Sequence, residues 1–198
     1  QRQMCIRDSL DSIIWMAEGR KYEEVVLMTA SLARLLRQSI SNEDEVVPLA
    51  REVEYAKGYL TIQKMRYKDK LEFEIDVEPS ILNIPLIKLV LQPIIENAIY
   101  HGLKYKESKG LLQVKGFMKD GNAVLQVIDN GVGMDEETLS HIYDKHKVNY
   151  HSNGVGVYNV QKRLKLYYGE NYGITYESEK GVGTTATITI PGIQEESI

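Results

Sequence analysis

Glu96 and Asn97 stand side by side in Leu91-Gln92-Pro93-Ile94-Ile95-Glu96-Asn97-Ala98-Ile99-Tyr100-His101-Gly102. The Asn97 side chain offers a neutral carbonyl oxygen of the kind magnesium accepts, and Glu96 is a carboxylate able to orient or deprotonate an attacking group. Further on come three glycine-rich segments: Asp129-Asn130-Gly131-Val132-Gly133, Gly154-Val155-Gly156-Val157-Tyr158-Asn159 and Gly181-Val182-Gly183-Thr184. A carboxylate at a strand end accepts from an exocyclic amine, which adenine carries at its six position and guanine does not. Glycines before a helix let backbone amides approach phosphate oxygens, and the helix dipole adds to that attraction. These are the parts a magnesium-bound adenine nucleotide requires.

Each segment also has a plain alternative. An isolated Glu-Asn pair is a polar helix edge, Asp-Asn-Gly is an Asx or hairpin turn, and Gly-Val-Gly-Thr is a turn between strands. The short glycine repeat at Gly154 lacks the Gly-Lys-Ser/Thr of a phosphate loop and does not open a βαβ unit. The order of all four carries the nucleotide reading. Of four histidines, His101 ends the Glu-Asn helix as a pocket or cap residue, while His141, His146 and His151 read as solvated loop residues without metal-ligand spacing. Lys104, Lys145, Lys147 and Lys162 or Arg163 are able to neutralise phosphate charge, though a solvated surface role is the default for any one of them.

The elements that position these groups follow from hydrophobic period. Leu10, Ile13, Ile14, Val25, Met28, Leu32, Leu35, Leu36 and Ile40 recur at helical spacing and predict one long amphipathic helix to Ser41, bent at Gly19. Polar residues 41–45 break it, and Pro48 suits the first turn of a second helix whose stripe is Leu49, Val53, Ala56, Leu60, Gln63 and Tyr67. That stripe fits either a core face or a seam with a second subunit. After Lys70 the period becomes two. Leu71, Phe73, Ile75 and Val77 predict a strand with one wet face, and Ile84–His101 predicts a buried helix with Pro85 in its first turn. Leu111–Lys119 and Ala123–Asp129 flank the turn pair Asp120-Gly121, a hairpin signal. Residues 135–153 predict a loop region with a short helix at its start. Val155–Tyr168 predicts a helix, and Ile174–Glu179 and Thr184–Ile190 predict closing strands. The class is α+β: a helical hairpin over 10–69, then a mixed sheet covered by helices on one face over 70–192, with an atypical end at 1–9 and a tail at 193–198.

Composition sets limits. The chain has 198 residues, 43% of them hydrophobic, enough for a packed core, and a net charge of −4 that disfavours a nucleic-acid track. A single cysteine, Cys5, permits no internal disulfide and fits a reducing, cytoplasmic setting. The longest apolar stretch, 81–95, is interrupted by polar residues and proline, so no membrane span is expected.

The four motifs, in this order, resemble the N box and glycine boxes of the GHKL nucleotide-binding superfamily. Within it the segment 10–190 is most similar to the kinase core of YesM/LytS-type bacterial sensor histidine kinases. Leu10-Asp11-Ser12-Ile13 resembles the residues just after the acceptor motif there, Tyr59-Leu60-Thr61-Ile62-Gln63-Lys64-Met65-Arg66-Tyr67 resembles the second-helix signature, and Leu91–Gly102 resembles the N box. The resemblance implies a Bergerat-type sandwich that binds ATP and Mg2+. By it Asn97 holds the metal, Glu96 assists the phosphoacceptor, Asp129 and Gly133 contact adenine, and Gly154 and Gly156 contact phosphates. His101, Lys104, Gly131, Asn159 and Thr184 complete the expected set, and the loop before Gly154 acts as an ATP lid. It further implies transfer of the γ-phosphoryl to a histidine and on to a response regulator, homodimerisation through the hairpin, and a membrane-anchored parent.

The chain departs from the family at its start. Relatives of this type carry Asn-Pro-His-Phe-Leu-x-Asn before the equivalent of Leu10, whereas this sequence has Gln1-Arg2-Gln3-Met4-Cys5-Ile6-Arg7-Asp8-Ser9, with Met4 in the acceptor's place. No histidine precedes His101, so a fragment with an unrelated leading segment is expected. An ATP-gated binding module that does not phosphorylate is the alternative function.

Overall fold

The computed structural model describes residues 2–40, 45–142 and 154–192. Two helices, Arg2–Glu18 (α1) and Tyr22–Ile40 (α2), stand where one was expected. The Arg20 amide donates to Ala17 O at 3.0 Å and the Lys21 amide to Met16 O at 2.9 Å, with Arg20 left-handed at φ 55°. This closure satisfies the last carbonyls of α1 and ends it, so the break falls one residue beyond the glycine that suggested a bend. Residues 2–9, which show no period in sequence, continue α1 without interruption. The predicted helix end at Ser41 and the tail 193–198 lie outside the described residues.

Val46–Pro48 (β1) pairs antiparallel with Pro85–Ile87 (β3), Pro48 opposite Pro85 at the ladder's end, where proline's missing N–H costs nothing. Pro48 therefore precedes, rather than opens, the helix Leu49–Tyr67 (α3). The helix expected over Ile84–His101 is likewise shorter. Its beginning is β3, a left-handed Leu89 at φ 60° turns the chain, and the helix proper is Leu91–Asn97 (α4). A π-helical turn, Ala98–Leu103, extends it past His101.

The main sheet runs β2-β4-β5-β7-β6: Leu71–Val77 (β2) is parallel to Gly110–Lys119 (β4), and Asn122–Asp129 (β5), Gly173–Glu179 (β6) and Gly183–Pro191 (β7) add antiparallel. Asp120 and Gly121, both at positive φ, make the predicted tight reversal between β4 and β5. One face of the sheet presents Leu112, Val114, Val127, Leu125, Ala186, Ile188 and Ile174, which are buried with residues of α3, α4 and Gly154–Tyr168 (α6). Glu136–Ser140 (α5) is a short helix off the end of β5.

The α3 stripe is a core face of this chain. Leu49, Ala56, Tyr59 and Leu60 are buried in the sandwich core, whereas Ile62 joins Met16, Met28 and Leu32 in a second cluster with α1 and α2. One helix thus supplies both cores.

Gly116 shows how tightly the sandwich is filled: a β-carbon there would meet Val77 Cγ1 at 2.8 Å, Ile81 Cδ1 at 2.9 Å and Leu125 Cδ2 at 3.0 Å. Gly116→Ala is expected to cost about 1–3 kcal/mol by overpacking, read as a lower urea midpoint at unchanged m-value.

Candidate functional site

Strand register builds the site. Pairing puts Leu112 beside Asp129, Asp129 beside Thr184, and Thr184 beside Ser178, so one row crosses four strands on the helix-covered face at the sheet's end. The next row inward brings Val127, Ala186 and Tyr176 together. α4 and its π turn lie over these rows, and the space between is a cavity of about 550 Å³. Its wall includes Asn97, His101, Asp129, Gly133, Tyr176 and Thr184. That volume is in the range of small-molecule sites.

Asp129 is only 6% exposed. The Gly131 amide donates to its Oδ1 at 2.8 Å. Burial nevertheless pushes the carboxyl up to about 6, against the opposing effects of the Gly131 and Thr184 amides and the Lys106 charge. The approach of other chain segments explains this desolvation. A β-carbon on Gly102 would meet Asp129 Oδ1 at 2.6 Å, and one on Gly131 would meet the Gly102 carbonyl carbon at 2.4 Å. The Val132 amide donates to Gly102 O at 3.1 Å, which ties the π turn to the loop after β5. Gly133 (φ 63°) lies where a β-carbon would overlap Glu179 O, so only glycine lets this loop pass the β6–β7 turn.

Asn97 ends α4. Its Oδ1 is buried and, among the described residues, has no hydrogen-bond partner. An orphaned carbonyl oxygen on a cavity wall suits a hard cation or a donor from a ligand. Glu96 lies on the same helix, accepts from Gln92 Nε2 at 2.8 Å, and does not form part of the described cavity wall. His101 keeps solvent access, yet partial burial of its ring, with Lys104 adding repulsion, lowers its pKa.

Several expected residues lie elsewhere. Lys104 faces a separate depression of about 120 Å³ with Tyr67, Ile99 and Leu103, because the π turn rotates it away from the row of Asp129. Gly131 is buried behind the wall rather than in it. Gly156 packs with Pro93 Cβ 3.6 Å from where its own β-carbon would stand, so α6 begins beside α4. Gly156 does not line the cavity, Asn159 is exposed on α6, and the surroundings of Gly154 lie outside the described residues. Residues 143–153, with His146 and His151 and most of the loop expected to act as a lid, lie outside the described residues.

His141 differs from its sequence reading: it lines the cavity with Glu137, Thr138 and Ile142, close behind α5. Asp135 caps that helix, accepting from the Thr138 amide at 3.0 Å and the Thr138 hydroxyl at 2.6 Å. These bonds, with Lys180 nearby, lower the Asp135 carboxyl to about 2. Sequence reasoning also missed Tyr176. The alternation of Ile174, Tyr176 and Ser178 with Thr175, Glu177 and Glu179 was the available signal, since it places Tyr176 on the inward face.

Fold and site together define a nucleotide-binding α/β sandwich joined to a helical unit. Residues 83–194 match the family described as histidine kinase-, DNA gyrase B- and HSP90-like ATPases, and residues 6–71 match the histidine kinase family. The chain therefore belongs to this ATPase family. It is 32% identical over 184 residues to the sensor histidine kinase YesM of Bacillus subtilis, covering 93% of this chain and 30% of YesM. It is 34% identical over 143 residues to the sensor protein LytS of Oceanobacillus iheyensis, covering 71% of this chain and 24% of that one. The chain thus spans less than a third of the length of these curated relatives. Among solved structures, the catalytic domain of histidine kinase ThkA matches with TM-score 0.58 at 16% identity over 75% of this chain and 99% of its own. The histidine kinase domain of a blue-light activated kinase from Erythrobacter litoralis matches with TM-score 0.55 at 13% identity, covering 96% of this chain and 95% of that one. Likeness at that identity shows the fold. No helix among the described residues is long and apolar enough to cross a membrane.

Asp129 generates a pH prediction. Its folded pKa of about 6 lies above the ordinary 3.8, so stability linked to it is complete below that lower value and is lost as pH rises through about 6. Asp129→Asn removes this dependence. Relative to the parent chain, the variant is expected to gain up to about 3 kcal/mol between pH 4 and pH 8 in urea melts. A stability difference constant with pH would contradict a desolvated carboxylate.

Proposed function

We propose that this chain is the Mg-ATP-binding catalytic core of a two-component sensor histidine kinase. In this reading the intact protein transfers the γ-phosphoryl of ATP to a histidine and then to a response regulator. One observation carries it: the unpartnered, buried Asn97 Oδ1 shares a cavity wall with the desolvated carboxylate of Asp129. The donor set fits the ligand at both ends, an oxygen for magnesium and an acceptor for the six-amino group of adenine.

The roles follow from position. Asp129 accepts from the base, with Gly133 and Thr184 beside it and Tyr176 bounding the slot. Asn97 holds the magnesium ion, which when bound neutralises phosphate charge and orients the triphosphate. Glu96, one residue earlier, assists the incoming acceptor. The N-terminus of α6 at Gly154 and Gly156 offers phosphate its amides and dipole, and His101 borders the site as a neutral group.

Homodimerisation through the helices is part of the proposal. Leu10 (49% exposed), Ile14 (58%), Tyr22 (67%) and Val26 (67%) leave apolar surface on α1 and α2, which supports a helix-bundle contact with a second copy. The protein is proposed to act at the cytoplasmic side of a membrane-anchored parent. A second reading, an ATP-gated module without phosphotransfer, is favoured by Met4 standing where the resemblance puts the acceptor histidine.

The chain is expected to bind Mg-ATP, to take no label from γ-labelled ATP, and to become labelled once an Asn-Pro-His-Phe-Leu-x-Asn segment is placed ahead of Leu10. Absence of label on that repaired chain favours the gated module. Asn97→Ala should weaken Mg-dependent nucleotide affinity by about tenfold or more, measured by calorimetry, while helix content by circular dichroism is retained. Unaltered affinity would remove Asn97 from the site.

A further inference from the structure

One buried carboxylate takes no part in the roles above. Glu52, in the first turn of α3, is 2% exposed and does not reach the cavity. Its Oε1 accepts the Leu89 amide at 2.8 Å, and its Oε2 accepts the Val90 and Leu91 amides at 2.9 and 3.1 Å. These three amides belong to the bend that enters α4, the helix ending in Glu96 and Asn97.

Leu89 is left-handed at φ 60° and Val90 is right-handed at φ −97°, ψ −53°. Consecutive residues of opposite hand point their N–H groups to one side and form a concavity for an anion. The Glu52 carboxylate fills that concavity from another helix, at the positive end of the α4 dipole. It also stabilises a leucine conformation that is unfavourable on its own. Burial raises the Glu52 pKa, while the three amides, and the Arg163 charge from α6, act against that rise.

The backbone reinforces the same contact. The Leu49 amide donates to Ile84 O at 2.9 Å, the Ala50 amide to Leu82 O at 2.8 Å, and β1 pairs with β3. The start of α3 is therefore fixed to the chain just before the bend, and Glu52 carries the contact across it to the Leu91 amide. From Leu91 to Asn97 there is only a rigid helical arm of roughly 9 Å, at about 1.5 Å per residue.

We infer that Glu52 is a positioning residue for the magnesium end of the nucleotide site, transmitting the placement of α3 through the amide concavity at 89–91 to the Asn97 oxygen. The inference rests on the proposed role of Asn97. It makes the helical unit and the nucleotide site mechanically continuous: a shift of α3 moves the α4 arm, because a carboxylate bound to three amides cannot follow one without the other.

The test uses the full 198-residue chain and two substitutions. Glu52→Gln keeps the size but puts an amino group among the amides, and Glu52→Asp keeps the charge on a shorter reach. Hydrogen exchange on the nucleotide-free protein reads the contact itself, and calorimetry with a nonhydrolysable ATP analogue, with and without Mg2+, reads its consequence. In Glu52→Gln the 89–91 amides are expected to exchange faster, and the gain in affinity on adding Mg2+ to fall about tenfold, with Mg-free affinity changed less than about threefold. Glu52→Asp should lose less of the same gain, and it supplies the readout if the Gln variant melts below the working temperature. Equal losses with and without Mg2+, or a lower melting temperature with an intact Mg2+ gain, would overturn the inference and leave Glu52 a purely structural residue. A parent chain that binds no nucleotide would overturn the site reading and this role with it, and it is distinguished from failure of the inference alone by that missing parent binding.

Discussion

The structure depends on desolvation of a single carboxylate at the end of a strand. Asp129 stands in a row of sheet residues that is otherwise apolar or hydroxylic, and the π turn after Asn97 is pressed against it until only a hydrogen fits at Gly102. Asp129 is left 6% exposed, and the Gly131 amide supplies part of the lost solvation. The remaining cost is visible in the carboxyl's pKa of about 6. A fold designed for stability alone would place leucine there, as it does at Leu112 in the same row. A ligand that donates a hydrogen bond to this oxygen recovers what folding gave up.

The same economy of contact explains the glycines. They bring the loop 129–133 to within bonding distance of residue 102 on one side and of 179–183 on the other, and the resulting bonds link N-box turn to loop and loop to hairpin. The Val132 amide holds Gly102 O, and the Gly181 amide holds Val132 O at 2.7 Å. One wall of the cavity is thereby braced on both sides, while the wall carrying α5 rests on a helix cap and the surface pair Lys180–Asp135 at 3.4 Å. Surface pairs of that kind contribute little, and the firmer tie on that side is the Met134 amide donating to Ser178 Oγ at 2.9 Å.

α3 joins the two halves. It buries Leu49, Ala56 and Leu60 in the sandwich and Ile62 among α1 and α2, and it sends Glu52 into the bend before α4. Apolar faces permit small sliding, whereas a carboxylate gripped by three amides sets a register. Helical unit and sandwich consequently meet through a seam with defined geometry, which gives a physical route between them whatever drives the helices.

Much of this was legible in the residues themselves. Alternation marked every long strand to within a residue or so at its ends, Asp120-Gly121 announced its turn, and three of the four motifs pointed to Asn97, His101, Asp129, Gly133 and Thr184, all of which the fold gathers around one cavity, whereas Gly156 and Asn159 of the remaining motif do not line it. Those signals are local: side-chain period and turn chemistry act between near neighbours, so a single sequence contains them. The strand at Pro85–Ile87 and the π turn were not legible, because each meets partners distant in the chain, whereas the break at Arg20 closes through local bonds and was read only as a bend at Gly19. Lys104 was turned away from the cavity, and His141 and Tyr176 were brought into it, by strand register and helix docking. Glu52 gave no local sign of its role, since its three amide partners lie 37 to 39 residues away. Local periodicity by itself determined which segments were helix or strand and which residue types were available. Only tertiary packing decided which were deprived of water and set face to face, because burial is a property of where the rest of the chain comes to lie.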